Sequence, residues 1–283
     1  MTTNPVVLRC ADRTLDLSEP VVMGVLNVTP DSFSDGGRFF DVEAAVAQGV
    51  RMAADGAALI DVGGESTRPG APGVSADEEL RRVIPVIERL RAGTSAILSV
   101  DTSKPEVVRA AVSAGAGLVN DVRALREPGA LAAAAAAGCA VCLMHMQGTP
   151  ETMQRAPHYQ DVVAEVRAFL TARVAACRAA GIGAERLVVD PGFGFGKTME
   201  HNLTLLRHLA ELAADGPPVL VGLSRKSMLG TLTHRAPSER VSGSVALAVI
   251  AALNGARIIR AHDVAPTVDA LKVVTAVAWP GPH

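Results

Sequence analysis

Eight short runs of aliphatic residues recur along the chain, and each gives way to a longer, alanine-rich stretch with helical spacing. The runs occupy residues 21–28, 59–63, 97–101, 118–122, 140–145, 187–190, 219–224 and 258–262. Most are apolar throughout rather than alternating, as strands must be when both faces of a parallel sheet are covered. The intervening segments, 42–56, 78–92, 105–114, 129–137, 161–180, 200–214, 238–254 and 265–277, are helix-compatible. Proline at a helix start, as at Pro105, and glycine just past an end, as at Gly115, Gly138, Gly181 and Gly255, follow the usual asymmetry of helix termini.

This alternation predicts repeated βα units, and eight units in 283 residues predict an α/β fold, a TIM (β/α)8 barrel. The alternative, an open doubly wound sheet, would carry a glycine-rich fingerprint after its first strand, and here the sequence reads TPDSFSDGG. Residues 5–19 precede the first barrel strand and are expected to form a short hairpin that closes the barrel floor. No linker, charge block or low-complexity tract divides the chain, so a single domain over 1–283 is expected, with the barrel proper at about 21–278.

With 27 basic and 29 acidic residues the formal charge is -2, which argues against bulk attraction to nucleic acid or to an anionic membrane. An anionic substrate would need a local basic site. Four cysteines do not make a disulfide framework in a chain of this size, and they point to a reducing compartment. The N-terminus lacks a charged start followed by a long apolar stretch, so a cytoplasmic location is expected. Cys139 and Cys142 have metal-motif spacing, but in a strand residues three apart face opposite ways and cannot share an ion. They read as small buried residues.

A barrel of this kind gathers its chemistry at the C-terminal ends of its strands. Polar residues fall at those ends: Asn27 after the first run, Glu65 to Arg68 after the second, then Asp101, Asn120 with Asp121, His145, Asp190, Ser224 to Lys226, and Arg260 with His262. Any one has an ordinary explanation, since Asp101, Asp121 or Asp263 could cap a helix or turn. Eight polar strand ends together are harder to dismiss. Asp101, Asn120 and Asp190 suit a flat heterocycle with an amino-substituted edge, because a carboxylate accepts two parallel hydrogen bonds from such an edge. Asn27, Arg260 and His262 end the first and last strands, which are neighbours in a closed barrel, and form a candidate phosphate or diphosphate site.

The segment PGFGFGKT at 191–198 has the look of a phosphate-binding loop, but Pro191 stands where its first glycine belongs. It reads better as a tight loop that brings Phe193 or Phe195 over the ligand pocket. The segments 29–41 and 65–77 exceed the usual length of βα connections and are candidate lids.

With these residues in view, the chain resembles the dihydropteroate synthase family over essentially its whole length. The resemblance is carried in order by GVLNVTPDSFSDGG at 24–37, DVGGESTRPG at 61–70, SVDTSK at 99–104, VNDVRAL at 119–125, MHMQGTP at 144–150, DPGFGFGK at 190–197, SRKSMLG at 224–230 and RAHD at 260–263. It implies a transferase of folate biosynthesis that condenses 6-hydroxymethyl-7,8-dihydropterin diphosphate with p-aminobenzoate, releasing pyrophosphate, and that is a target of sulfonamides. It implies a pterin site of Asp101, Asn120, Asp190 and Lys226 walled by Val122, Met144, Phe195 and Gly222. It also implies a diphosphate site of Asn27, Arg260 and His262, with Asn27 a ligand of Mg2+, and a p-aminobenzoate site of Phe33, Thr67, Arg68, Pro69, Phe195, Lys226 and Ser227. Catalysis would rest on Asp101, Asp190, Lys226, Arg260 and His262 as preorganised charge rather than on an acid–base pair. Mg2+ is the implied cofactor and a homodimer the implied assembly. Lids that close over the diphosphate would complete the p-aminobenzoate pocket second. Two other readings stand beside this one: a pterin-binding methyltransferase domain serving a corrinoid protein, and a non-catalytic pterin-binding paralogue.

Overall fold

The computed structural model describes residues 6–29, 42–66, 70–71, 73–214 and 216–278. A two-stranded antiparallel hairpin, β1 (Val7–Cys10) and β2 (Arg13–Asp16), precedes a closed parallel barrel. The barrel strands are β3 (Val21–Asn27), β4 (Leu59–Gly63), β5 (Ile97–Asp101), β6 (Leu118–Asp121), β7 (Ala140–Met144), β8 (Leu187–Asp190), β9 (Val219–Gly222) and β10 (Ala256–Ala261). Each follows its predecessor around the ring, and β10 closes on β3 through Ile258 opposite Val21 to Ala261 opposite Gly24. The expected TIM barrel and its hairpin are both present.

The apolar runs are explained by the two faces each strand buries. One face carries Met23, Leu59, Ile97, Leu118, Ala140, Cys142, Val188, Leu220 and Ile258 into the lower interior, where Leu8, Cys10 and Leu17 of the hairpin region complete the packing. The other face sends Val22, Leu26, Ile60, Val62, Leu98, Val100, Val119, Val221 and Ile259 outward against the helices. Cys139 and Cys142 fall in these two separate clusters, as the strand geometry requires, and all four cysteines are free and buried.

The covering helices are α1 (Val42–Ala54), α2 (Ala76–Gly93), α3 (Pro105–Ala114), α4 (Ala130–Ala137), α5 (Val162–Ala179), α6 (Met199–Arg207), α7 (Leu209–Ala213), α8 (Ser227–Thr233), α9 (Val241–Leu253) and α10 (Val264–Ala278). Helix α2 shows why they form where they do. Ser75 caps its first turn by accepting from the Glu78 N–H (3.2 Å), Asp77, Glu78 and Glu79 complement the positive helix end, and Glu79, Val83, Val86, Ile87 and Leu90 make one buried stripe.

Besides shifted element ends, such as β9 stopping at Gly222, and 3-10 turns at Ala184–Arg186 and Pro237–Glu239, the structure departs from the expected elements at three places. The segment 200–214 is two helices, because His208 leaves helical geometry at φ -104, ψ 16. Its ring bonds Glu211 at 2.7 Å, a break that neither glycine nor proline announces. The last strand starts at Ala256, with a register irregularity before Ile258. The short helix α8, begun by Lys226 as its N-terminal flanking residue, was not anticipated.

Candidate active site

The alternation that builds the floor also builds the site, one or two residues further along each strand. Asn27, Gly63, Asp101 and Asn120 lie side by side on one rung of the ladder, with Val25, Asp61, Ser99 and Leu118 on the rung below. All point to the barrel interior, in phase with the floor residues. Met144 and Asp190 pair on the opposite wall.

Arg260 ties the centre together. It stands in register with Met23 and Gly222, and its guanidinium reaches Asp61 Oδ2 through Nε (2.7 Å) and Asp101 Oδ2 through an η nitrogen (3.0 Å). Asp61, fully buried, also accepts from Ser99 Oγ (2.6 Å) and Asn120 Nδ2 (2.9 Å). Asp61 is the functional residue that the reading of strand ends missed, since it lies inside an apolar run. Its signal was its phase, two residues before Gly63 on the inward face. Burial and the Asp61 carboxylate push Asp101 well above the usual carboxylate range, although Arg260 opposes them, and the two acids in turn hold Arg260 above the ordinary guanidinium range.

On the far wall burial pushes Asp190 up to about 6, against the Gly192 N–H that it accepts at 2.7 Å and the nearby Lys226. Lys226 is pushed down to about 8, by burial first and by Arg260 second. Its Nζ lies 4.2 Å from the centroid of the Phe195 ring, a cation–π contact. Phe195 packs in turn on a satellite cluster of Val122, Met144, Met146 and Met153. Phe193 instead faces the core, 1 % exposed, so of the two phenylalanines Phe195 alone lines the mouth. Gly222 leaves room beside Arg260, since a Cβ there would meet its Cδ at 4.0 Å.

His262 shares a hydrogen bond between Nδ1 and Ser224 Oγ (3.0 Å), and burial with the adjacent Arg260 lowers its pKa to about 4. At neutral pH it is therefore a neutral N–H donor, not a second cation. Asn27 carries its amide oxygen toward the space that the missing side chain of Gly63 leaves: a Cβ there would stand 3.9 Å from it and 3.8 Å from Asp101 Oδ2. Ser227 is exposed at the first turn of α8, next to Lys226. The structure thus brings Asn27, Asp101, Asn120, Val122, Met144, Asp190, Phe195, Gly222, Lys226, Ser227, Arg260 and His262 to one end of the barrel. Phe33, Thr67, Arg68 and Pro69, and most of the candidate lid over 29–41, lie outside the described residues.

Two other polar strand ends are structural. Asp121 accepts from Ser103 Oγ and from the N–H groups of Arg123 (2.7 Å) and Leu125 (2.8 Å), fixing the turn after β6. Asp263 holds Arg225 by two bonds of 3.0 and 2.6 Å, and Arg225 adopts φ +57, where a side chain is costly unless its surroundings impose it. That left-handed residue lies between β9 and α8, immediately before Lys226, the residue that flanks the start of α8.

Outside the mouth, a cavity of about 380 Å³ lies among the loops after β4 to β7. It touches the ring of site residues only at Asp101 and Val122; Lys104 crosses its wall between Glu65 and the buried Glu79. No helix among the described residues is long and apolar enough to cross a membrane. Nor do the described residues contain a group of three histidines, cysteines or acids able to hold a metal ion by themselves.

Residues 23–262 match the family described as pterin binding enzyme. The dihydropteroate synthase of Escherichia coli K12 is 58 % identical over 262 residues, 93 % of each chain. Among solved structures, Xanthomonas albilineans dihydropteroate synthase with 4-aminobenzoic acid superposes with a TM-score of 0.93 at 59 % identity, covering 98 % of this chain and 100 % of that one. The same enzyme in complex with 7,8-dihydropteroate gives a TM-score of 0.89 at 57 % identity, over 97 % and 100 %.

Proposed function

The chain belongs to the dihydropteroate synthases among the pterin-binding enzymes, and on that premise we propose how its barrel mouth performs their reaction. It is a transferase of folate biosynthesis, joining 6-hydroxymethyl-7,8-dihydropterin diphosphate to p-aminobenzoate to give 7,8-dihydropteroate and pyrophosphate. The observation that carries the proposal is the convergence on one mouth of Asp101, Asn120 and Asp190, from β5, β6 and β8, with Arg260, the neutral His262 and Asn27, which gather where β10 meets β3.

In this reading the pterin lies in the pocket walled by Val122, Met144, Phe195 and Gly222, with its amino-pyrimidinone edge donating to Asp190 and its remaining polar atoms on Asp101, Asn120 and Lys226. The diphosphate extends toward Arg260, His262 and Asn27. The methylene C–O bond breaks, its electron pair leaves with the diphosphate, and the cation left on the pterin is stabilised by the Asp190 and Asp101 carboxylates. The aniline nitrogen of p-aminobenzoate, neutral near pH 7, then attacks the methylene carbon and loses its proton. No residue need act as a strong base, and His262, lowered to about 4 and so neutral, is suited to donate a hydrogen bond rather than to take up a proton. Lys226, Ser227 and Phe195 bound the side from which the amine arrives, with Phe33, Thr67, Arg68 and Pro69 completing that pocket.

The donor set fits Mg2+ only with help from the substrate. Asn27 offers one amide oxygen, and a hard cation that keeps much of its water is commonly held by few protein groups together with phosphate oxygens. Held by Asn27 and the diphosphate, the ion would neutralise charge on the leaving group. The proposed assembly is a homodimer through the barrel helices, which Ile250, Leu253, Val273 and Val277 support: all four are large, apolar and exposed, and they lie on the packed pair α9 and α10. Four buried free thiols suit a reducing compartment, and the cytoplasm is part of this reading.

The test is a coupled assay of pyrophosphate release with dihydropterin diphosphate, p-aminobenzoate and Mg2+. Release that needs both substrates is the expected result. Pterin binding without release would point to the non-catalytic paralogue, and methyl transfer in its place to the corrinoid-serving reading.

A further inference from the structure

Lys197 is a buried lysine that takes no part in the chemistry proposed for the mouth, and burial lowers its pKa to about 7. It is 3 % exposed and has no carboxylate within ion-pair distance among the described residues. Its three hydrogen bonds go to His145 Nδ1 (2.9 Å) and to the carbonyl oxygens of Gly192 (3.0 Å) and Phe195 (3.0 Å). In the charged form three N–H donors meet three acceptors, which is what burial of that form demands. An apolar residue of similar volume would commonly be no less stabilising at such a place.

The three bonds hold the loop that carries Phe195. Gly192, Gly194 and Gly196 all have positive φ, at 71, 79 and 62. A Cβ on Gly192 would collide with the His145 carbonyl oxygen, and one on Gly196 would come to 2.5 Å from that of Gln147, so the backbone is pressed against the β7 end. Further tethers fix the same few residues: the Gly194 N–H donates to Asn202 Oδ1 (2.7 Å), Gln154 Nε2 donates to the Gly194 carbonyl (2.6 Å), and the Tyr159 hydroxyl donates to that of Gly196 (2.8 Å). Among the described residues, Lys197 is the one side chain that bonds both the start of the loop and Phe195 itself. The loop also begins at Asp190, whose Oδ1 is taken by the Gly192 N–H.

We propose that Lys197 is a positioning residue for the pterin site: by joining His145 to Gly192 and Phe195, it sets the Phe195 ring against Lys226 and aims Asp190 before substrate arrives. The proposal rests on the pterin-binding reading above. It also accounts for the glycine-rich GFGFGK segment without phosphate, since the lysine turns back into its own loop instead of outward to an anion.

The experiment compares wild type, K197M, F195A and the double variant by calorimetry with two probes, 6-hydroxymethylpterin lacking the diphosphate and pyrophosphate with Mg2+. K197M is expected to weaken pterin binding by about tenfold or more, as small misplacements of binding groups do, and to leave pyrophosphate binding unchanged. In the F195A background the added loss from K197M should shrink, because the lysine acts through that ring. Should K197M not fold, H145Q removes the ring acceptor while sparing both carbonyl bonds, and is expected to weaken the pterin by about threefold, the worth of one hydrogen bond. Unchanged pterin affinity in folded K197M or H145Q overturns the proposal. Equal losses for both probes, or full additivity with F195A, overturn it too, because Lys197 would then support the fold at large. A wild-type protein that binds no pterin defeats the functional reading instead.

Discussion

The lower and upper halves of the barrel interior are made by the same strands and differ by two residues of travel along them. Leu59 gives way to Asp61, Ile97 to Ser99 and Asp101, Leu118 to Asn120, Val188 to Asp190, and Ile258 to Arg260. Below, every inward side chain is apolar and the hairpin seals the end; above, the inward side chains are mostly ionic or amide-bearing and bond one another across the ring. The lower layer removes apolar surface from water and stabilises the fold. The upper layer keeps charges where desolvation penalises them, a cost that their mutual pairing offsets only in part. Stability and chemistry are thus separated along the strand axis, and the separation can be tested.

The largest effect should come from Arg260→Ala, which breaks the division because it touches both properties. Removing the guanidinium leaves Asp61 and Asp101 buried without their cation, at a cost of about 3–5 kcal/mol of stability. It also removes the main contact proposed for the diphosphate. Denaturant melts should show the first, and calorimetry should show diphosphate-bearing pterin weakened far more than pterin without it. Equal weakening of both ligands would make Arg260 a support of the fold alone.

Asp190→Asn should sharpen the division, because it removes charge while retaining shape. Turnover is expected to fall by about 10²–10³, the usual consequence of losing one preorganised electrostatic group. The melting temperature should hold or rise, since a carboxyl raised to about 6 by burial is one that the fold prefers neutral. Wild-type turnover in this variant would remove Asp190 from the site.

Ile258→Val is the complementary change in the lower layer. Trimming one buried methyl group should cost about 0.5–1.5 kcal/mol of stability. The kinetic constants should stay at wild-type values, and a changed KM would mean that the two layers are mechanically coupled.

The smallest effect is in pH dependence. kcat/KM should fall below about pH 6, where Asp190 gains a proton, and above about pH 8, where Lys226 loses one. Lys226→Arg should move only the alkaline limb upward. Stability linked to Asp190 runs the other way: its folded pKa is raised, so its contribution is fully present below the unfolded carboxyl pKa and is lost as pH rises through about 6. Activity and stability limbs of opposite sign on one residue are the titration counterpart of the division between the layers.

Much of this was legible in the sequence, for a physical reason. Barrel strands buried on both faces must be apolar until they emerge, so a polar residue at the end of an apolar run marks the mouth, and Asp101, Asn120, Asp190 and Arg260 were found that way. The same rule hid Asp61, which sits mid-strand and is tolerated only because Ser99, Asn120 and Arg260, brought from three other strands, satisfy it. Lys197 was hidden differently: its motif suggested an anion, and only the fold shows His145 waiting 52 positions earlier in the chain. The break at His208 and the seven-residue α8 carry no composition signal at all.

The seam between β3 and β10 has a consequence for how the protein comes into being. The strand that begins the ring can find its last neighbour only after the chain through Ala261 is available, so ring closure joins segments more than two hundred residues apart and is a slow, late kind of contact. Until then β3 presents an open edge, the kind of surface on which nascent chains misassociate. Asn27 lies on one side of that seam and Arg260 and His262 on the other. The proposed anion pocket is therefore born with ring closure, and a polyphosphate bound there would select chains whose last strand has already docked.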